Sequence, residues 1–139
     1  MSTTVRRANI LVPMIVLLVI ISGCGGGGST ADSGNGTALP AKILNWQAPS
    51  SYTDGTPMNP TADLDRFEVY VNGSGSFDEA DAPQAILSAV DPATRQLTTS
   101  FNLANIRSLS IGTPYWVSLR AVALTGLKSD FSPPASFSF

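Results

Sequence analysis

Two hydrophobic textures divide the chain. Residues 10–21 are apolar at every position, whereas beyond residue 40 the apolar side chains come in short runs alternating with polar ones. The second texture is that of half-buried β-strands, whose successive side chains point to opposite faces. Leu44 and Trp46 share a face of one run, and Phe67, Val69 and Val71 share a face of the next, with Glu68 and Tyr70 opposite. Phe101 and Leu103 continue the pattern. Tyr115, Val117, Leu119 and Ala121 form a further inward row, with Trp116, Ser118 and Arg120 directed outward. Turn signals separate the runs at Asp54-Gly55, Asn59-Pro60, Asn72-Gly73, Asp91-Pro92 and Ser132-Pro133-Pro134. This predicts an all-β sandwich whose two inward rows face each other. No stretch supports a long helix: residues 80–90 come closest, but Pro83 interrupts them and an edge strand reads equally well.

The fully apolar run has a different meaning. A polar stretch carrying Arg6 and Arg7 precedes it, and the small residues Ser22 and Gly23 follow it, which is the layout of a secretory signal. Its 12 apolar residues fall well short of the roughly 20 needed to span a bilayer core. Asn9 stands where a twin-arginine signal has a bulky apolar residue, so general secretion is expected. Cys24, the sole cysteine, sits where the signal ends, and no intramolecular disulfide is available.

Ile21-Ser22-Gly23-Cys24 resembles the lipobox of bacterial lipoproteins. The resemblance implies that residues 1–23 are removed and that Cys24 becomes the lipid-bearing first residue, joined to the membrane through its sulfur. Several acyl chains hold stably where one holds marginally, because each buried CH₂ contributes about 0.8 kcal/mol. Gly25 rather than Asp after the cysteine points to the outer membrane of a Gram-negative cell envelope. Residues 24–38 then read as the lipidated cysteine and a flexible Gly/Ser-rich linker. Residues 25–37, GGGGSTADSGNGT, hold no aromatic or branched aliphatic side chain to offset the entropy of ordering.

The remaining residues 39–139 resemble a fibronectin type III domain. Leu44-Asn45-Trp46-Gln47-Ala48-Pro49 is similar to the second strand of that family, and Asp63-Leu64-Asp65-Arg66-Phe67-Glu68-Val69-Tyr70 to the run into its third. Leu109-Ser110-Ile111-Gly112-Thr113-Pro114-Tyr115 is similar to the run into its sixth. The resemblance implies an immunoglobulin-like β-sandwich of about seven strands, the first short and near residues 39–42. It makes Tyr115 the tyrosine corner, whose hydroxyl bonds back to upstream backbone. It also pairs the third and sixth strands antiparallel, bringing Tyr70 and Trp116 together as a candidate exposed binding pair. Two such rings stabilise the sheet as a cross-strand pair, the reading preferred here, or serve a sugar or peptide ligand. Residues 59–62 and 72–84 are longer than minimal connections.

Composition narrows the function further. The chain has 8 Lys+Arg, 10 Asp+Glu and no His, a formal charge of −2. Without Arg6 and Arg7 the balance is 6 basic against 10 acidic residues, or −4. Nucleic acid is excluded as a partner, since there is no concentrated basic stripe. Absence of His rules out a Ser-His-Asp triad, and no Gly-x-Ser-x-Gly or Ser-x-x-Lys spacing occurs. Asp78, Glu79 and Asp81, like Asp63 and Asp65, read as solvated acidic surface; the calcium-loop pattern is absent. No catalytic residue, metal or cofactor is expected. The sequence thus predicts a lipid-anchored, non-catalytic binding or spacer module, with the membrane and a protein or polysaccharide as partners. A structural subunit of a larger envelope complex is the alternative, and a glycan-acting enzyme ranks last.

Overall fold

The computed structural model describes residues 38–139. The signal, the lipobox Ile21-Ser22-Gly23, Cys24 and the glycine-rich segment lie outside the described residues. Six strands occur among the described residues: β1 (Ile43–Asn45), β2 (Leu64–Asn72), β3 (Ala85–Ser88), β4 (Ser100–Asn102), β5 (Tyr115–Ala123) and β6 (Ala135–Phe137). A single helical turn, α1 (Pro60–Asp63), and a 3-10 turn at Leu103–Asn105 complete the elements. All strand pairs are antiparallel, in a four-stranded sheet of order β3-β2-β5-β6 and a two-stranded sheet of β1 and β4.

Alternation decides what each strand buries. In the β2–β5 ladder, Phe67 lies opposite Ala121, Val69 opposite Leu119 and Val71 opposite Val117, all on the core side. A register shift between Leu64 and Arg66 inserts one residue into β2. Because strand side chains have a period of two, this single insertion turns Leu64 onto the same face as Phe67, where it is buried. Leu44 and Trp46 of the opposite sheet, with Leu103 and Ile106 after β4, close the core. Trp46 meets Phe67 edge to face with ring centroids 5.3 Å apart, tying the two sheets together. The indole Nε1 of Trp46 is buried and unpartnered among the described residues, so apolar packing of the ring outweighs an unsatisfied donor.

The extended connections condense around local hydrogen bonds. Asn59 caps α1: its Oδ1 accepts from the Thr61 amide at 3.2 Å, and Asp63 Oδ2 accepts from the Asn59 amide at 2.7 Å. Pro60 opens the turn where its missing N–H costs nothing. Residues 80–90 resolve as the edge strand β3 beginning after Pro83. The first strand expected near residues 39–42 does not form. Those residues run straight into β1 without a turn, and the Lys42 carbonyl accepts from the Leu103 amide at 2.8 Å, extending the β1–β4 ladder. A segment collinear with β1 cannot also lie beside it.

Strand directions sort the connections into two ends. At one, the basal end, Lys42 Nζ donates to the Ser138 carbonyl and lies 5.8 Å from the Phe139 ring centroid. The Gly112 amide donates to the Phe139 carbonyl at 3.1 Å at this end too. The opposite, distal end carries the turns at residues 46–63, 89–99 and 124–127, tied together by Trp46 N to Thr99 O at 3.0 Å and Leu124 N to Asp63 O at 2.9 Å.

Candidate functional site

The face of β2 and β5 that points away from the core carries Arg66, Glu68, Tyr70 and Asn72 against Val122, Arg120, Ser118 and Trp116. The sequence places these side chains in solvent. Instead the face is covered, by residues 127–132 returning from β5 and by the connection at 73–84. Tyr70 is only 2% exposed, so the expected pair of neighbouring exposed rings is not formed. Its ring partner is Phe131, edge-on at 4.9 Å; Phe77 stacks on the same phenyl at 5.9 Å, and the Arg120 guanidinium lies 4.6 Å from its centroid. Arg120 and Ser118, also expected outside, are likewise buried.

Two serines cause this covering. Ser132 Oγ accepts from the Leu119 amide and Ser129 Oγ from the Ala121 amide, both at 2.9 Å, while each serine amide donates to the carbonyl of the same β5 residue. Hydroxyls therefore stand in for main-chain carbonyls along β5. The serine carbonyls, thus released, turn onto the outer face: Ser129 O accepts from Arg120 Nε at 2.7 Å and Ser132 O from Ser118 Oγ at 2.8 Å. Phe131, between them, is thrown over Tyr70.

Beneath this cover lies a charge network. Glu68, 3% exposed, accepts from Arg66 Nε at 3.0 Å, Tyr70 Oη at 2.7 Å and Lys128 Nζ at 2.9 Å. Burial raises the carboxyl pKa, but these three donors together outweigh it and hold Glu68 below the ordinary carboxylate range. Burial first, and the Glu68 carboxylate second, push the Tyr70 phenol up to about 12. Arg120 Nη1 meets Glu79 at 2.8 Å, and Arg66 Nη1 meets Asp65 at 2.6 Å. Three cations thus balance three carboxylates. A carboxylate ligated by three donors and held ionised has the chemistry of a structural ion pair rather than of a proton donor poised near neutrality.

Trp116 stays 37% exposed, but one face of its indole is occupied. A Cβ built on Gly75 would come 2.9 Å from Trp116 Cδ2, and Gly75 has φ +76°. The Asn72 side chain folds this turn, accepting from the Ser74 and Gly75 amides at 3.1 and 2.8 Å and donating to the Ser76 carbonyl at 2.6 Å. Tyr115, at the basal start of β5, accepts from the Ser110 amide at 3.1 Å, the backbone contact expected of a tyrosine corner. Hydrogen bonding from Ser110, through side chain and then backbone, lowers its phenol pKa.

Of the acidic groups singled out by sequence, Glu79 reaches Arg120 across the face, and the aspartates are engaged locally. Asp78 accepts from the Ala80 amide, Asp81 from the Asp78 amide, and Asp63 caps α1. Among the described residues, no group of three or more His, Cys, Asp or Glu is placed to hold a metal ion. Hollows among the described residues include the following two. One, of about 420 Å³, lies at the basal end between Leu39, Ile106, Leu109 and Ile111, with Arg107 on its lining. The other, of about 130 Å³, lies between Tyr70, Phe77, Asp81 and Gln84. No model of a known protein family matches the chain, and no curated protein matches it either.

Proposed function

We propose that the chain is a lipid-anchored cell-envelope protein presenting one fibronectin type III-like domain as a non-catalytic binding or spacer module for a protein or polysaccharide. Residues 21–24 support the anchor. The domain type is supported by the antiparallel pairing of β2 with β5, the strands likened to the third and sixth of that family, and by the Tyr115–Ser110 contact.

The observation that carries the functional reading is the placement of Lys42 and Phe139 at one end of the domain. A tether from Cys24 enters at that basal end, so the turns at 46–63, 89–99 and 124–127 face away from the membrane. Leu124, 66% exposed, stands at the tip of the last of these. Presented outward on a linker, these turns are the surface a partner meets first, in keeping with the general concentration of binding residues on loops carried by a rigid scaffold.

Metabolic labelling with palmitate tests the anchor. The wild-type chain is expected to take up label and sediment with membranes, and Cys24→Ser to lose both properties. Absence of label with unchanged sedimentation of Cys24→Ser would overturn it. Surface proteolysis of intact cells with a pull-down on the full chain then tests presentation; replacement of distal-turn residues such as Leu124→Ser is expected to weaken capture of the partner, and undiminished capture with every distal turn replaced contradicts the reading.

A further inference from the structure

Among the described residues the exposed large hydrophobics are Ile43, Ile86, Ile111, Trp116 and Leu124: Ile86 lies on the edge strand β3 and Leu124 at the distal end, while Ile111 and Trp116 lie at the basal end. Ile111 is 54% exposed at the mouth of the 420 Å³ groove, whose walls are Leu39, Ile106 and Leu109. Trp116, at the basal start of β5, shows its remaining indole surface at the same end. Lys42 and Arg107 contribute cations nearby, and long basic side chains suit a boundary where apolar stems bury while charged heads stay wet.

Resting on the lipid-anchor reading, we propose that this basal groove and Ile111 seat on the phospholipid surface, so that the domain stands on the bilayer rather than floating above it. What identifies the occupant is the length of chain outside the described residues and where it ends. Thirteen residues separate Cys24 from Ala38, a Gly/Ser-rich span with a reach of roughly 20 Å. Leu39, the next residue, is itself a wall of the groove. The tether therefore favours this end for contact with the lipid. A linker this short holds the two at millimolar effective concentration, so a contact of about millimolar affinity, too weak to recruit a free domain, is formed about half the time. The distal end carries Leu124 but lies a full strand length away. Tether geometry thus sets the basal apolar groove, for lipid, apart from Leu124 at the distal end.

The test uses the lipidated full chain in phosphatidylcholine vesicles. A nitrobenzoxadiazole fluorophore is attached at Ile111→Cys, or at Thr125→Cys on the distal turn as the control. The Ile111 probe is expected to gain about twofold or more in intensity, shift to the blue and become shielded from an aqueous quencher. The Thr125 probe is expected to remain fully quenchable. Flotation of the protein with the vesicles while both probes stay water-like overturns the seat but leaves the anchor standing. Failure to float overturns the anchor reading and the seat with it. An Ile111 probe equally shielded in the unlipidated Cys24→Ser chain without vesicles refutes the lipid seat.

Discussion

Gly75→Ala isolates the contact between the 73–77 turn and Trp116. At φ +76° an L side chain pays a left-handed penalty of about 1–2 kcal/mol, while loss of unfolded-state freedom returns about 0.4–1 kcal/mol. The added methyl would also lie 2.9 Å from Trp116 Cδ2, a ring atom close to the main chain that a small rotation does not clear. Overpacking of this kind costs about 1–3 kcal/mol, taken at the low end here because the indole is partly exposed. The net expectation is a destabilisation of about 1.5–2 kcal/mol, or on the order of 8 °C in Tm for a domain of this size. The assay is urea unfolding of the Cys24→Ser chain followed by far-ultraviolet circular dichroism, in both the Trp116 and the Trp116→Ala backgrounds. Without the ring the steric share disappears and only the backbone share remains, giving a coupling of about 1 kcal/mol. A neutral or stabilising Gly75→Ala, or equal losses in both backgrounds, would refute the packing of this turn on the indole.

Ser132→Ala leaves the Leu119 amide without its acceptor in a buried site and is expected to cost about 1–3 kcal/mol, with faster hydrogen exchange at that amide; unchanged exchange would contradict the hydroxyl ladder. Glu68 is held below its unfolded pKa, so its stabilisation is present above about 4.5 and lost as pH falls through the lower folded value. Glu68→Gln should therefore flatten the acid limb of a urea-midpoint profile, leaving the part due to Asp54 and Asp91, which are also lowered. Tyr70 has the opposite sign: its folded pKa is raised to about 12, so its contribution is full below about 10 and is lost as pH rises through the folded value. Tyr70→Phe should remove that alkaline loss between pH 10 and 12, as read by urea midpoints and phenolate absorbance.

The core side of the fold was largely legible because alternation governs most of it. Leu44, Trp46, Phe67, Val69, Val117, Leu119 and Ala121 are all buried where the period of two places them. Leu64 is the instructive case: its position in simple alternation puts it outside, and only the inserted residue in the ladder turns it inward. The outer face misled for a related reason. Polar identity at Glu68, Ser118 and Arg120 reads as solvent contact, yet each is buried with a partner supplied from far along the chain. Period-two patterning reports which face a residue takes and says nothing of what later covers that face. The spacing Ser129-x-x-Ser132, followed by Pro133-Pro134, was the available signal: a strand denied regular pairing by proline, with two hydroxyls placed to replace its carbonyls. Tyr115 was legible because its contact is only five residues long.

The collinear run of residues 39–42 into β1 also fixes how the domain bears a load. A pull on the chain upstream of Ala38, resisted by something gripping the distal turns, enters through Lys42 and travels along the axis of β1. The hydrogen bonds from Lys42 O to Leu103 N through Trp46 N to Thr99 O lie across that axis, so they are strained in shear together rather than peeled one after another. Behind them the Trp46 ring, wedged against Phe67, must be dragged through the core before the strand can leave. A three-residue strand that looks like the weakest element of the sheet is in this geometry a latch, its contacts sharing the load.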